Sequence, residues 1–158
     1  MHDLDLIDRV HSEGSEPEGI LCEKRVPLHS PVFRGHFPGF PVVAGALLIE
    51  CMAQAGGLLL MRDLELRRMA LLAAVREARF YQLVEPGSQL LIRARIVARQ
   101  ARSALVAAEL HVDGARCARC RLLYQLRDFP TPETRNLVAR RLRATPRIRL
   151  SHPVEGQA

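Results

Sequence analysis

One stretch of the chain, residues 35–54 (GHFPGFPVVAGALLIECMAQ), gathers the residue types needed to move a proton. His36 sits in a loop whose backbone is restricted by Pro38 and Pro41, because a proline ring fixes φ. Gly39 and Gly45 allow backbone to come close to a ligand. An apolar run that reads as helix begins near Gly45. The unpaired N–H groups of its first turn, and the positive end of its dipole, therefore face the loop. Glu50 lies on that otherwise apolar helix, where a lone carboxyl must be paired, protonated or functional. Burial favours the neutral acid. A His base, a carboxylic acid and a helix N-terminus together make a proton-transfer site with an oxyanion stabiliser. Taken singly, a His in a loop is ordinarily surface, and a Glu on a buried helix is ordinarily satisfied by backbone or a partner subunit. The information lies in their occurring together with the Pro-Gly loop.

Two other features invite chemistry and carry less. Cys117 and Cys120 form a C-x-x-C without a second pair. Their segment alternates like a strand, which places residues three apart on opposite faces. Free thiols in a reducing cytoplasm are the expectation for all four cysteines, and no metal is expected. Residues 42–61 have the length of a membrane span, with only Glu50 and Gln54 polar. A charge near the middle of a span costs roughly 2.5–3.5 kcal/mol. The run reads instead as the buried central helix of a globular domain, with no membrane partner.

The elements that must position His36 and Glu50 come from a chain of 158 residues, one domain's worth and enough for a core. Residues 1–19 read as an acidic lead and 20–26 as a short strand. Residues 27–41 form a Pro-rich loop, and the helix runs from about Gly45 to Met61. Residues 63–68 are a polar linker. Residues 70–84 suit strand or helix by composition, and the clear strands C-terminal to them favour strand. In 90–99, Leu90, Ile92, Ala94, Ile96 and Ala98 share one face against Arg93, Arg95 and Arg99, as in a half-buried antiparallel strand. Residues 104–112 repeat that period. Asp113-Gly114 is a hairpin turn, and the next strand runs to about Arg127. Its inner face is Ala118, Cys120, Leu122, Tyr124 and Leu126, with Arg119, Arg121 and Arg127 outside. Thr131 and Pro132 suit the N-cap and first position of a helix reaching about Arg143, with Leu137, Val138 and Leu142 as its apolar side. A one-faced sheet must be covered, and one apolar helix is available. The fold class is α+β, a curved antiparallel sheet around a central helix.

The net charge of +6 invites a polyanion, but its location does not. The first 134 residues hold 17 basic and 16 acidic groups, whereas residues 135–150 hold six Arg and no acid. Seven aromatics and no Trp leave few platforms for stacking bases, so no nucleic-acid partner is expected. The chain divides into a body, 1–127, and an Arg-rich C-terminal extension, 128–158.

The segment GHFPGFPVVAGALLIECMAQAGG resembles the 3-hydroxyacyl-[acyl carrier protein] dehydratases of bacterial fatty-acid synthesis, FabZ type. EARFYQLVEPGSQL, residues 77–90, and LIDRV, residues 6–10, are similar to two further segments of that family. The resemblance spans about residues 6–127. It implies a hot-dog fold and a hydro-lyase that converts a (3R)-hydroxyacyl thioester to a trans-2-enoyl thioester, in fatty-acid or polyketide-type synthesis. By the same resemblance His36 and Glu50 are the catalytic pair, the Gly45 N–H contacts the thioester carbonyl, and Gln54 helps to orient the site. It also implies an acyl carrier protein as partner, substrate carried on phosphopantetheine and no other cofactor. The family's His and Glu come from opposite subunits, so a homodimer with the site at its interface is expected, with a trimer of dimers as the larger assembly. The related FabA type, which also moves the double bond, has Asp at the position of Glu50, so plain dehydration is favoured. Ala44 stands where the family has Pro, Ser88 where it has Asp, and the family's PHR-x-P segment has no counterpart. Arg34, Arg76 and Arg79 flank the matched motifs and are candidates for docking the acidic carrier. Two rival readings share the fold: an acyl thioesterase, and a supporting subunit of a heterodimeric dehydratase.

Overall fold

The alternation of apolar and polar residues through the second half of the chain builds three long strands, and residues 69–80 add a fourth. The computed structural model describes residues 6–11, 19–33 and 39–143. In it β1 is Arg9–His11, β2 Gly19–Arg25, β3 Met69–Phe80, β4 Gln89–Arg99, β5 Ser103–Val112 and β6 Ala115–Arg127. They form one six-stranded antiparallel sheet in the order β1-β2-β4-β5-β6-β3. Helix α1, Gly45–Asp63, lies in its hollow, and α2, Pro132–Arg143, packs beside α1. This is the expected hot-dog arrangement.

The core is the meeting of α1 with the inner face of the sheet. Leu48, Cys51, Met52, Ala55 and Leu59 are buried on the helix. Leu90, Ile92 and Ala94 of β4, Val106 and Leu110 of β5, and Leu122 and Tyr124 of β6 are buried opposite them. Each large aliphatic side chain so covered contributes roughly 1.5–3 kcal/mol. The run that mimics a membrane span is α1 itself. It is long and apolar enough to cross a bilayer, and 61% of its apolar window is buried inside the fold.

Local signals read from the sequence hold at the turns and caps. Asp113 and Gly114 both take positive φ, 50° and 81°, as a tight hairpin demands. Thr131 Oγ1 accepts the N–H of Thr134 at 3.2 Å, capping α2. Three expectations need correction. Ala98 is exposed rather than inward, because a bulge between Ile96 and Ala98 shifts the period. Leu137 of α2 is 65% exposed, and Ala139 is buried in its place beside Val138 and Leu142. Cys117 and Cys120 do not divide into one buried and one outward thiol. The pairing skips Cys117, and both are buried. Burial pushes the thiols of Cys22, Cys51 and Cys120 up to about 12.

Close helix–sheet contact needs Gly56. A Cβ there would lie 2.6 Å from Tyr124 Oη and 3.2 Å from Val106 Cγ1. Tyr124 is itself fixed, its hydroxyl donating to the Ala53 carbonyl at 2.6 Å. Gly56→Ala is therefore expected to destabilise the protein by about 1–3 kcal/mol despite alanine's better helix propensity. Denaturant titration of both forms checks it; equal or greater stability of the variant would show that the contact yields.

Candidate active site

Segments far apart in sequence build the start of α1. Pro41 precedes Val42, which is buried. The Val43 N–H donates to the Val84 carbonyl at 2.8 Å, tying the approach to α1 onto the chain after β3. Ala44 takes the N-cap with φ −58° and ψ 136° and gives no side-chain hydrogen bond to the first turn. The Gly45 N–H thus stands at the positive end of the helix with no side-chain cap. The ring of Phe80, the last residue of β3, lies over Gly45. A Cβ there would fall 2.9 Å from the ring, so only glycine fits without displacing it. The described part of the first resembling segment, residues 39–54, and the second, 77–90, meet here in space.

Glu50 and Gln54 follow on the same helix, one turn apart. Gln54 Nε2 donates to Glu50 Oε1 at 3.1 Å. Gln54 is half-buried and Glu50 is exposed in the single chain. This corrects the expectation of a buried carboxyl: the flank of α1 that carries Glu50 turns away from the chain's own sheet. Arg141 of α2 completes the row, with Nη2 3.4 Å from Gln54 Oε1. Sequence reading missed Arg141, because nothing in the pattern of α2 says against which part of α1 it docks.

His36 and Arg34 lie outside the described residues. Arg76 and Arg79 are exposed on β3, near Phe80. Their cross-strand partners are arginines also: Arg76 pairs with Arg121, and Arg79 with Arg119. Directly opposed residues point to the same side of a sheet, so four guanidinium groups crowd one face. Glu77, with Oε2 3.8 Å from Arg121 Nε, is an acid among them. Arg119 and Arg121 join the candidate docking residues through strand register, which the sequence does not display.

The comparisons with known proteins show the family and the fold. Residues 1–121 match the family model of the FabA-like domain. The chain is 36% identical over 125 residues to a 3-hydroxyacyl-[acyl-carrier-protein] dehydratase, FabZ, of Solibacter usitatus, covering 78% of this chain and 76% of that protein. It is 39% identical over 110 residues to the FabZ dehydratase of Streptococcus gordonii, covering 69% and 77%. Among solved structures, a thioesterase of Haemophilus influenzae superposes with a TM-score of 0.59 at 13% identity, covering 78% of this chain and 81% of the other, a likeness of fold.

Proposed function

The chain belongs to the FabA-like family, and from that premise we propose that it dehydrates (3R)-hydroxyacyl thioesters on acyl carrier protein to trans-2-enoyl thioesters in fatty-acid synthesis. The observation that carries the reading is Glu50, its carboxyl held by Gln54 on the helix whose uncapped start carries Gly45. His36 removes a proton from C2 of the substrate. Negative charge builds on the thioester oxygen, where the Gly45 N–H and the helix dipole stabilise it. Glu50 protonates the C3 hydroxyl, the C3–O bond breaks and water leaves. His36 then holds one proton more and Glu50 one fewer, and exchange with solvent resets both. The elimination is redox-neutral and needs no cofactor beyond the phosphopantetheine that carries the substrate. The reaction is placed in the cytoplasm.

The working unit is a homodimer built on β3. This strand is an edge of the sheet, twelve residues long and exposed for most of its length. Leu72 and Val75 pair across to the buried Tyr124 and Leu122, so they belong to the inner face, yet each is 41% exposed. Phe40, Tyr81 and Leu83 add exposed apolar surface nearby. A long apolar edge of this kind is a template for pairing. A second copy docked there covers the inner face of β3. The site then takes His36 from one subunit and Glu50 from the other.

Hydration of a crotonyl thioester, followed by loss of its enoyl absorbance, tests the activity in reverse. A purified chain inert in both directions would overturn it. The acidic carrier docks on the arginine face of β3 and β6. Reversing Arg119 and Arg121 to Glu is expected to raise KM for carrier-bound substrate by about tenfold or more, with kcat little changed. KM for a free pantetheine thioester stays the same. Equal changes for both substrates would place the docking elsewhere.

A further inference from the structure

The FabA-like match ends at residue 121, so α2 lies beyond the part of the chain that the family describes. Its last turn nevertheless reaches the catalytic helix. We infer that Arg141 is a positioning residue of the acid site: through Gln54 it fixes which oxygen of Glu50 carries the proton. The inference rests on the dehydratase reading and deepens it.

Hydrogen-bond polarity carries the inference. Arg141 is half-buried, and its Nη2 lies 3.3 Å from the Ile7 carbonyl and 3.4 Å from Gln54 Oε1. A guanidinium only donates, so the Gln54 amide must turn its oxygen toward Arg141. Its NH2 group then faces Glu50 Oε1, at 3.1 Å. An amide NH2 also only donates, so Oε1 must be an acceptor. The proton that Glu50 delivers is thereby confined to Oε2, the oxygen left for the substrate hydroxyl. Loss of Arg141 removes the charged donor that favours this orientation over a turned amide. Its oxygen would then accept the acid's own O–H and draw the proton away from the substrate. Among the described residues, α2 is also tied to the body by Arg135, which does not reach this row. Arg135 Nε donates to the Leu66 carbonyl at 3.0 Å, away from Gln54.

That difference supplies the experiment. Arg141→Met, Arg141→Lys, Arg135→Met, Gln54→Leu and the double variant Arg141→Met with Gln54→Leu are assayed on a 3-hydroxyacyl carrier-protein substrate. Arg141→Met is expected to lower kcat roughly tenfold, the effect of losing one charge-assisted hydrogen bond, with KM within about twofold. Arg141→Lys, which still donates, recovers part of the loss. Arg135→Met keeps normal kcat. Gln54→Leu costs about as much as Arg141→Met, and the double variant costs little more than either alone, as for members of one chain of contacts. Should Arg141→Met fail to fold, Gln54→Leu and Arg141→Lys read the same link with α2 still tied to Ile7. Unchanged kcat in Arg141→Met and Gln54→Leu, beside an active wild type, would overturn the inference and leave the dehydratase reading standing. So would equal losses in Arg135→Met and Arg141→Met, which would reduce Arg141 to a tether. A wild type that dehydrates nothing would bring down both.

Discussion

Glu50→Gln is expected to lower kcat by roughly 10²–10⁴, the usual worth of a positioned acid or base, while the protein stays folded and dimeric. The substitution keeps the shape and the contact with Gln54 and removes only the proton that can be delivered. Glu50 is exposed in the single chain, so the fold does not depend on it. His36→Ala is expected to fall in the same range, since base and acid act in one elimination. Losses in the two variants should be far from additive when combined. Steady-state kinetics with circular dichroism as a folding control decide the matter. Turnover within a few-fold of wild type in Glu50→Gln would remove the carboxyl from the chemistry.

The second large effect lies in the sheet, on its edge strand β3. Leu72→Asp with Val75→Asp puts two carboxylates on the inner face of the edge strand. In a lone chain both positions are partly open to water, so the monomer tolerates them. In a dimer the partner covers them, and an unpaired buried charge costs about 3–5 kcal/mol. At about 1.4 kcal/mol per tenfold, the dimerisation constant weakens by at least roughly 10². Sedimentation should show half the mass, and activity should disappear with the dimer, although neither His36 nor Glu50 has changed. Mixing the variant with Glu50→Gln protein at high concentration should return some activity if mixed dimers form. A monomeric variant with full activity would show that one chain builds the whole site.

Much of this architecture is legible in the sequence because local physics decides it. The apolar run of α1, the period-two strands, the Asp113-Gly114 turn and the Thr131-Pro132 helix start depend on neighbours in sequence. What escaped depends on distant pairing. β1 is three residues long, too short to show a period within an acidic lead. The bulges at Ala73 and Val97 shift strand register, so Ala98 turns outward and no rule of alternation announces it. Leu137 reads as apolar side and Ala139 does not, because only the docking angle of α2 chooses between them.

The site divides along the same line. The proposed residues His36, Gly45, Glu50 and Gln54 are readable from one motif, since they are close in sequence. The exposure of Glu50 is not, because an apolar helix normally buries every side and only the sheet's reach shows which flank stays open. Arg119 and Arg121 join Arg76 and Arg79 by register, and Arg141 joins Gln54 by the docking of α2. The Arg-rich extension, which first reads as a bare excess of charge, has Arg135 and Arg141 already engaged with the body.

The most direct test is intact-mass measurement of 3-hydroxyacyl carrier protein after incubation with the purified chain. Loss of one water from the carrier, abolished by Glu50→Gln, is the predicted result. Loss of the whole acyl group would make the chain a thioesterase, and an unchanged mass would make it at most a supporting subunit; either would contradict the account.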